Sequence, residues 1–301
     1  MTTEPMTTEP TPPASPEDEP GVTFSLPPLP ISRRTMLKLG ATAIVGLGGS
    51  RYIFDSLSRI FAPPARATAV DPLVAAYEPA AHRWGFVVDT TRCIGCGLCV
   101  MACKQENNVP DDEEHTRTWI ERHVVHADGG LTVQSPEAGI NGFTAEGAAR
   151  IDPGATAAYF VPRLCMQCED SPCTGVCPVG ATYRTPDGVI LVDADRCIGC
   201  GYCLLACPYG ARYLVPAGGR TPQGVAGVAD KCTFCYHRIV RGEQPACVEV
   251  CPVQARLFGD LEDPDSVVSR IIGSGITTVM RPEQETHPRV HYIGLEREAT
   301  A

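Results

Sequence analysis

The chain has 301 residues, 44 % of them hydrophobic, enough to bury a core. Only 6 % are aromatic, against 29 Gly and 28 Pro, so loops should outweigh long regular elements. A net charge of −10, with no basic stretch interleaved with aromatics, excludes nucleic acid as a partner; the acidic surface either solubilises the chain or steers a basic one.

Residues 1–30 open with a doubled Met-Thr-Thr-Glu-Pro and continue Pro-rich and acidic, a composition that stays disordered. Residues 31–69 read as an address. Ser32-Arg33-Arg34-Thr35-Met36-Leu37-Lys38 precedes a short apolar run, Leu39 to Gly49, and resembles a twin-arginine signal with Met36 where Phe is usual. Ala67-Thr68-Ala69 fits a small-x-small cleavage site, although Arg51 to Arg66 is long for the segment before one. Cleavage after Ala69 and retention as an anchor both stay open. Later in the chain the best apolar stretch, Val267 to Met280, is broken by Ser269, Arg270, Gly273, Ser274 and Gly275 and is no membrane span. The expected location is therefore the outer, periplasmic face of the cytoplasmic membrane, with the protein soluble or peripheral.

Sixteen cysteines follow, all in groups of four. A predicted strand, Gly85 to Asp89, leads into Cys93, Cys96, Cys99 and Cys103, spaced C-x2-C-x2-C-x3-C. After residues 111–160 come Cys165, Cys168, Cys173 and Cys177, spaced C-x2-C-x4-C-x3-C. A second predicted strand, Val189 to Asp193, precedes Cys197, Cys200, Cys203 and Cys207, which repeat the first spacing and are followed by Pro208. The last group, Cys232, Cys235, Cys247 and Cys251, has C-x2-C-x11-C-x3-C and is followed by Pro252. Four thiolates converging from a tight loop and one outside residue suit a cubane cluster, so four 4Fe–4S clusters are expected, with the sixteen cysteines as iron ligands. A structural zinc would be overcrowded by four cysteines within eleven residues. Cysteines three apart do not distribute as a disulfide framework. Tyr236 after Cys235 misses the C-x-x-C-H haem frame.

The groups alternate in type: residues 92–103 echo 196–207, and Cys177-Pro178-Val179-Gly180-Ala181 echoes Cys251-Pro252-Val253-Gln254-Ala255. Glycines 95, 97, 199 and 201 free the loop backbone to bring amides near sulfur. Two-cluster ferredoxins exchange their fourth cysteines between motifs, so motifs must pair. Nested pairing, second with third and first with fourth, bridges 19 residues between Cys177 and Cys197. Sequential pairing bridges 61 and 24 residues and stays open. His115, His123 and His126 near Trp119 read as surface histidines or a partner contact, and Asp111 to Glu114 as a solvated turn. Arg92 and Arg196, one before each first cysteine, either raise a cluster potential or lie on the surface. There is no P-loop, and Gly46-Leu47-Gly48-Gly49 falls short of a dinucleotide fingerprint.

Lys231-Cys232-Thr233-Phe234-Cys235, Pro245-Ala246-Cys247, Cys251-Pro252 and Phe258-Gly259-Asp260, with Pro162-Arg163-Leu164-Cys165-Met166-Gln167-Cys168 and Pro172-Cys173, resemble a known family. It comprises the four-cluster iron–sulfur subunits of dimethyl sulfoxide reductase-type molybdenum oxidoreductases, including those serving tetrathionate, polysulfide and formate-dependent nitrite reduction. The likeness runs from Trp84 to Asp263, and Pro288 to Ile293 matches the usual tail. It implies that Cys93, Cys96 and Cys99 share a cluster with Cys251, and Cys232, Cys235 and Cys247 one with Cys103. Cys165, Cys168 and Cys173 would join Cys207, and Cys197, Cys200 and Cys203 would join Cys177. Lys104, where proline often stands, is expected to loosen its loop.

The expected fold is α+β: two pseudo-symmetric, bacterial-ferredoxin-like modules, loop-rich, with insertions. Residues 84–110 and 222–262 form the outer module, 111–160 an insertion, 161–217 the inner module and 263–301 a C-terminal tail. The resemblance implies a non-catalytic electron-transfer subunit between a molybdopterin catalytic subunit and a multi-span quinone-reactive subunit or cytochrome. A self-contained iron–sulfur reductase and a cluster-carrying assembly or sensor protein are the alternatives.

Overall fold

The computed structural model describes residues 71–143, 154–221 and 224–295. The Pro-rich start, the twin-arginine segment and its cleavage site, and parts of the expected insertion and tail lie outside them.

Helix α1 (Pro72–Ala76) precedes strand β1 (Trp84–Asp89), the predicted strand before the first cysteine group. Helix α2 (Leu98–Asn107) follows, then β2 (Thr118–His126), β3 (Leu131–Gln134) and β4 (Ala155–Leu164). Helix α3 (Pro172–Gly175), β5 (Thr182–Arg184) and β6 (Ile190–Val192) come next; β6 falls within the second predicted strand. The chain continues through α4 (Tyr202–Leu205), β7 (Tyr213–Leu214), β8 (Arg220–Thr221), β9 (Gly224–Val225) and β10 (Ala229–Asp230). Helices α5 (Tyr236–Ile239) and α6 (Ala246–Glu249), β11 (Arg256–Asp260), α7 (Val267–Gly273) and β12 (Val290–Ile293) complete it.

Proline sets the helix lengths. Pro178, Pro208 and Pro252 follow the fourth cysteines of their groups, where a missing N–H and the restricted preceding residue end α3, α4 and α6 after four residues each. Lys104 allows α2 to run on for ten. The expected loosening at Lys104 does not occur. Its side chain is buried, and its ammonium donates to the carbonyls of Pro110, Asp112 and His115, pinning the next loop.

The central sheet has β1 in the middle, antiparallel to β11 and parallel to β12. Residues 263–295, expected as a tail, thus supply a strand of this sheet. A second antiparallel sheet, β3-β2-β4, pairs Thr118 through Val125 with Leu164 through Ala157. Strand β4 therefore crosses the expected boundary at residue 160. His123, expected at the surface, is 2 % exposed on β2, tilted against Tyr159 and bonded to Glu121.

Phe86, Val88, Val100, Ile120, Leu164, Met166, Phe234 and Tyr292 form one core with five of the cysteines, Cys99, Cys165, Cys168, Cys232 and Cys247. Each fully buried large apolar side chain contributes roughly 1.5–3 kcal/mol. Rings stack from Trp84 to Phe258 at 5.0 Å and from Phe86 to Phe234 at 5.7 Å, which carries the core of the central sheet up to the fourth cysteine loop.

Candidate metal centres

The first C-x2-C turn of each group is built alike. The residue before its second cysteine has a left-handed backbone: Gly95 (φ 67°), Gln167 (47°), Gly199 (68°) and Phe234 (54°). Only glycine adopts this freely; a side chain costs about 1–2 kcal/mol. At Gln167 burial and bonding offset that cost, since its amide donates to the Cys232 carbonyl at 2.7 Å and accepts from Ile190 N–H at 2.8 Å. Phe234 is held by its ring stack. Glycine is required for space at Gly199, where a Cβ would lie 2.3 Å from the Gly227 carbonyl oxygen.

All sixteen cysteines are free thiols. Cys103, Cys232, Cys235 and Cys247 line one pocket with Phe86, Asn107 and Arg117. Burial, then the charges of Cys235, Cys247 and Cys232, push the Cys103 thiol well above its usual range. Cys177, Cys197, Cys200 and Cys203 line a second pocket. Cys93 and Cys99 each lie within electrostatic reach of Cys251, and Cys99 of Cys96; burial comes first in raising Cys93 to about 11. Burial and then Cys165, with Cys173 and Cys207 also contributing, raise Cys168 to about 12. Among the described residues no three Cys, His, Asp or Glu side chains close on a point that one ion would fill. Eight of the thiols line those two pockets instead.

Those donors reach sulfur from all sides. The amides of Ala255 and Ala181 donate to Cys251 and Cys177, each at 3.2 Å, and those of Ala229 and Phe234 to Cys197 and Cys232, each at 3.4 Å. Arg212 donates to Cys173 at 3.0 Å. At Cys177 burial acts upward, but the amides of Thr182, Val179 and Ala181 prevail and hold the thiol below its usual range.

The four groups also have an order. Cys247 feels Cys99, Cys232 feels Cys165, and Cys203 feels Cys173. In sequence terms the fourth group thus neighbours the first and the second, and the second neighbours the third. Cys103, Cys232, Cys235 and Cys247 are all buried, whereas Cys93, Cys96 and Cys251 at one end, and Cys177, Cys197 and Cys200 at the other, are not.

Buried cations accompany the thiols. Arg117 makes a two-point ion pair with Asp230, at 2.9 and 2.7 Å, and donates to Asn107. Lys231 is fully buried on the carbonyls of Ile190 and Cys232. Arg212 and Arg256 are buried as well. Sequence reasoning looked instead to Arg92 and Arg196, which are exposed; Arg196 bonds the Val179 carbonyl. Arg212 and Arg256 share a sequence signal, Cys-Pro-x-x-Ala-Arg at 207–212 and 251–256.

A 4Fe–4S dicluster domain matches residues 92–181, and another 4Fe–4S dicluster domain matches residues 156–261. The chain is 41 % identical over 222 residues to a Halobacterium salinarum protein assigned as the iron–sulfur subunit of a dimethyl sulfoxide reductase, covering 71 % of this chain and 79 % of that one. It is 36 % identical to a subunit of the tetrathionate reductase of Salmonella typhimurium, covering 71 % and 74 %. With a polypeptide of the polysulfide reductase of Wolinella succinogenes it shares 34 % identity over 72 % of this chain and 97 % of the relative. Two dicluster domains and sixteen cysteines in ferredoxin spacing account for four 4Fe–4S clusters. With this cysteine set and these relatives, the chain belongs to the iron–sulfur electron-transfer subunits of dimethyl sulfoxide reductase-type oxidoreductases.

Proposed function

We propose that the chain is a non-catalytic relay within an exported complex, passing single electrons between a molybdopterin catalytic subunit and a multi-span quinone-reactive subunit or a cytochrome. The observation that supports this reading is that Cys103, Cys232, Cys235 and Cys247 are buried, whereas Cys93, Cys96 and Cys251, and Cys177, Cys197 and Cys200, are more open. The ligand sets are Cys93, Cys96, Cys99 and Cys251; Cys103, Cys232, Cys235 and Cys247; Cys165, Cys168, Cys173 and Cys207; and Cys177, Cys197, Cys200 and Cys203. A 4Fe–4S cluster in each supplies one-electron chemistry, its potential set by burial, charge and hydrogen bonds to sulfur. The chain places these sites through two pseudo-symmetric ferredoxin-like modules and keeps water from the inner thiols.

Apolar side chains at matching positions support docking at both ends. Ile94, Leu98 and Met101 are exposed around the first loop, and Ile198, Tyr202 and Leu205 around the third, Leu205 at 87 %. Such residues favour burial against a partner. Among the described residues no helix is long and apolar enough to cross a membrane. Arg33 and Arg34 support export by the twin-arginine route to the periplasmic face.

Mild detergent purification of the tagged chain from its native membrane tests this reading. Recovery with a large molybdopterin protein and a multi-span membrane protein is expected. Recovery alone, with turnover of a small substrate, would favour a self-contained reductase.

A further inference from the structure

Arg256 is 1 % exposed at the start of β11, opposite Val88 of β1. Its Nη2 donates to Thr118 Oγ1 at 2.7 Å, but Nε–H and Nη1–H find no acceptor among the described residues. Its charged neighbours are Cys99, Cys247 and Cys93, which belong to two adjacent cysteine groups. Arg212 repeats the arrangement one Cys-Pro-x-x-Ala-Arg motif earlier, at 7 % exposure. Its Nη2 donates to Cys173, its Nη1 to Thr182 at 3.3 Å, and its Nε–H has no acceptor among the described residues. Its neighbours, Cys173, Cys165 and Cys203, again span two groups.

A buried guanidinium with idle N–H groups is strongly disfavoured unless an anion answers it. Other buried cations are answered within the protein: Arg117 by Asp230, Arg289 by Glu169 and the Asp187 carbonyl, Arg122 by Gln134, Lys231 by two carbonyls and Lys104 by three. Arg212 instead donates to sulfur, and Arg256 lies within electrostatic reach of three cysteines. An anionic centre that gains an electron becomes more negative, so a fixed cation and N–H donors favour its reduced form and raise its potential.

We propose that Arg256 and Arg212 each tune two neighbouring clusters at once, donating N–H groups toward sulfur and raising both reduction potentials. Arg256 couples the Cys93/96/99/251 site to the Cys103/232/235/247 site, and Arg212 couples the other two. This inference rests on the ligand sets proposed above.

The test uses the full chain, loaded with clusters, as Arg256→Gln, Arg256→Lys and Arg212→Gln. Iron content is measured first, and each potential is then read by EPR-monitored redox titration, with centres assigned through single Cys→Ser variants. With iron unchanged, Arg256→Gln should lower the potentials of two centres by at least 59 mV, a tenfold change for one electron. These should be the centres that respond to Cys93→Ser and Cys247→Ser, with the other two unmoved. Arg212→Gln should do the converse, and Arg256→Lys should stay within that margin. Unmoved potentials at full iron, or an equal shift of all four, overturn the tuning role. Iron loss in all three variants also overturns it, because the side chains would then serve assembly alone. A shift in two centres that the cysteine variants group otherwise upholds the tuning and overturns the ligand sets.

Discussion

Replacing Asp230 with alanine should be among the most destabilising single changes outside the cysteines. Asp230 accepts two hydrogen bonds from Arg117 and one from Tyr213, with side-chain exposures of 3 % for Asp230 and 1 % for Arg117. Removing one partner of such a pair costs about 3–5 kcal/mol, because a charge is left buried without its counter-ion. At about 2–4 °C per kcal/mol for a folded unit of this size, the melting midpoint should fall by about 6–20 °C. The assay is anaerobic thermal bleaching of the visible cluster absorption at a fixed scan rate. Asp230→Leu combined with Arg117→Met should recover much of the loss, since it removes both charges. A fall of less than about 2 °C for Asp230→Ala would place the pair in the range of a surface ion pair and refute the reasoning.

Gly199→Ala should disrupt the third cysteine loop, because its Cβ would meet the Gly227 carbonyl at 2.3 Å; Gly201→Ala meets nothing within 4 Å and should cost only about 1–2 kcal/mol for its left-handed backbone. Iron content of the two variants checks this, with about four irons missing from the first alone. Cys251→Ser and Cys93→Ser should lose the same EPR signal although they lie far apart in sequence; if Cys251→Ser instead perturbs the signal lost in Cys232→Ser, the fourth group is self-contained. Lysine at both Arg33 and Arg34 should leave a cluster-loaded chain in the cytoplasm, checked by fractionation, and unchanged export would remove the twin-arginine assignment.

The cysteine turns and strand β1 were legible because their information is local. Spacing within eleven residues sets the first loop, and Gly95 and Gly97 supply its left-handed backbone. What was not legible depends on distant contacts. Arg256 reads as a surface residue until β11 pairs with β1 and turns it inward. His123 and Lys104 are polar residues in polar stretches, and only the β2–β4 pairing and the loop after α2 bury them. The short strand β12 has no neighbour in sequence to announce it; its partner β1 lies some 200 residues earlier. In the C-x2-C turns, Gln167 and Phe234 stand where the other two loops have glycine, so alignment of the four turns foretells their backbone, though not the bonds that stabilise it.

The central claim is that one chain carries four 4Fe–4S clusters, each able to take one electron. Anaerobic analysis of the purified chain combined with a reductive titration tests it most directly. About sixteen iron and sixteen acid-labile sulfide per chain, with about four electrons taken up, is the predicted result. Zinc as the main metal, or about half that iron with two electrons, would contradict it.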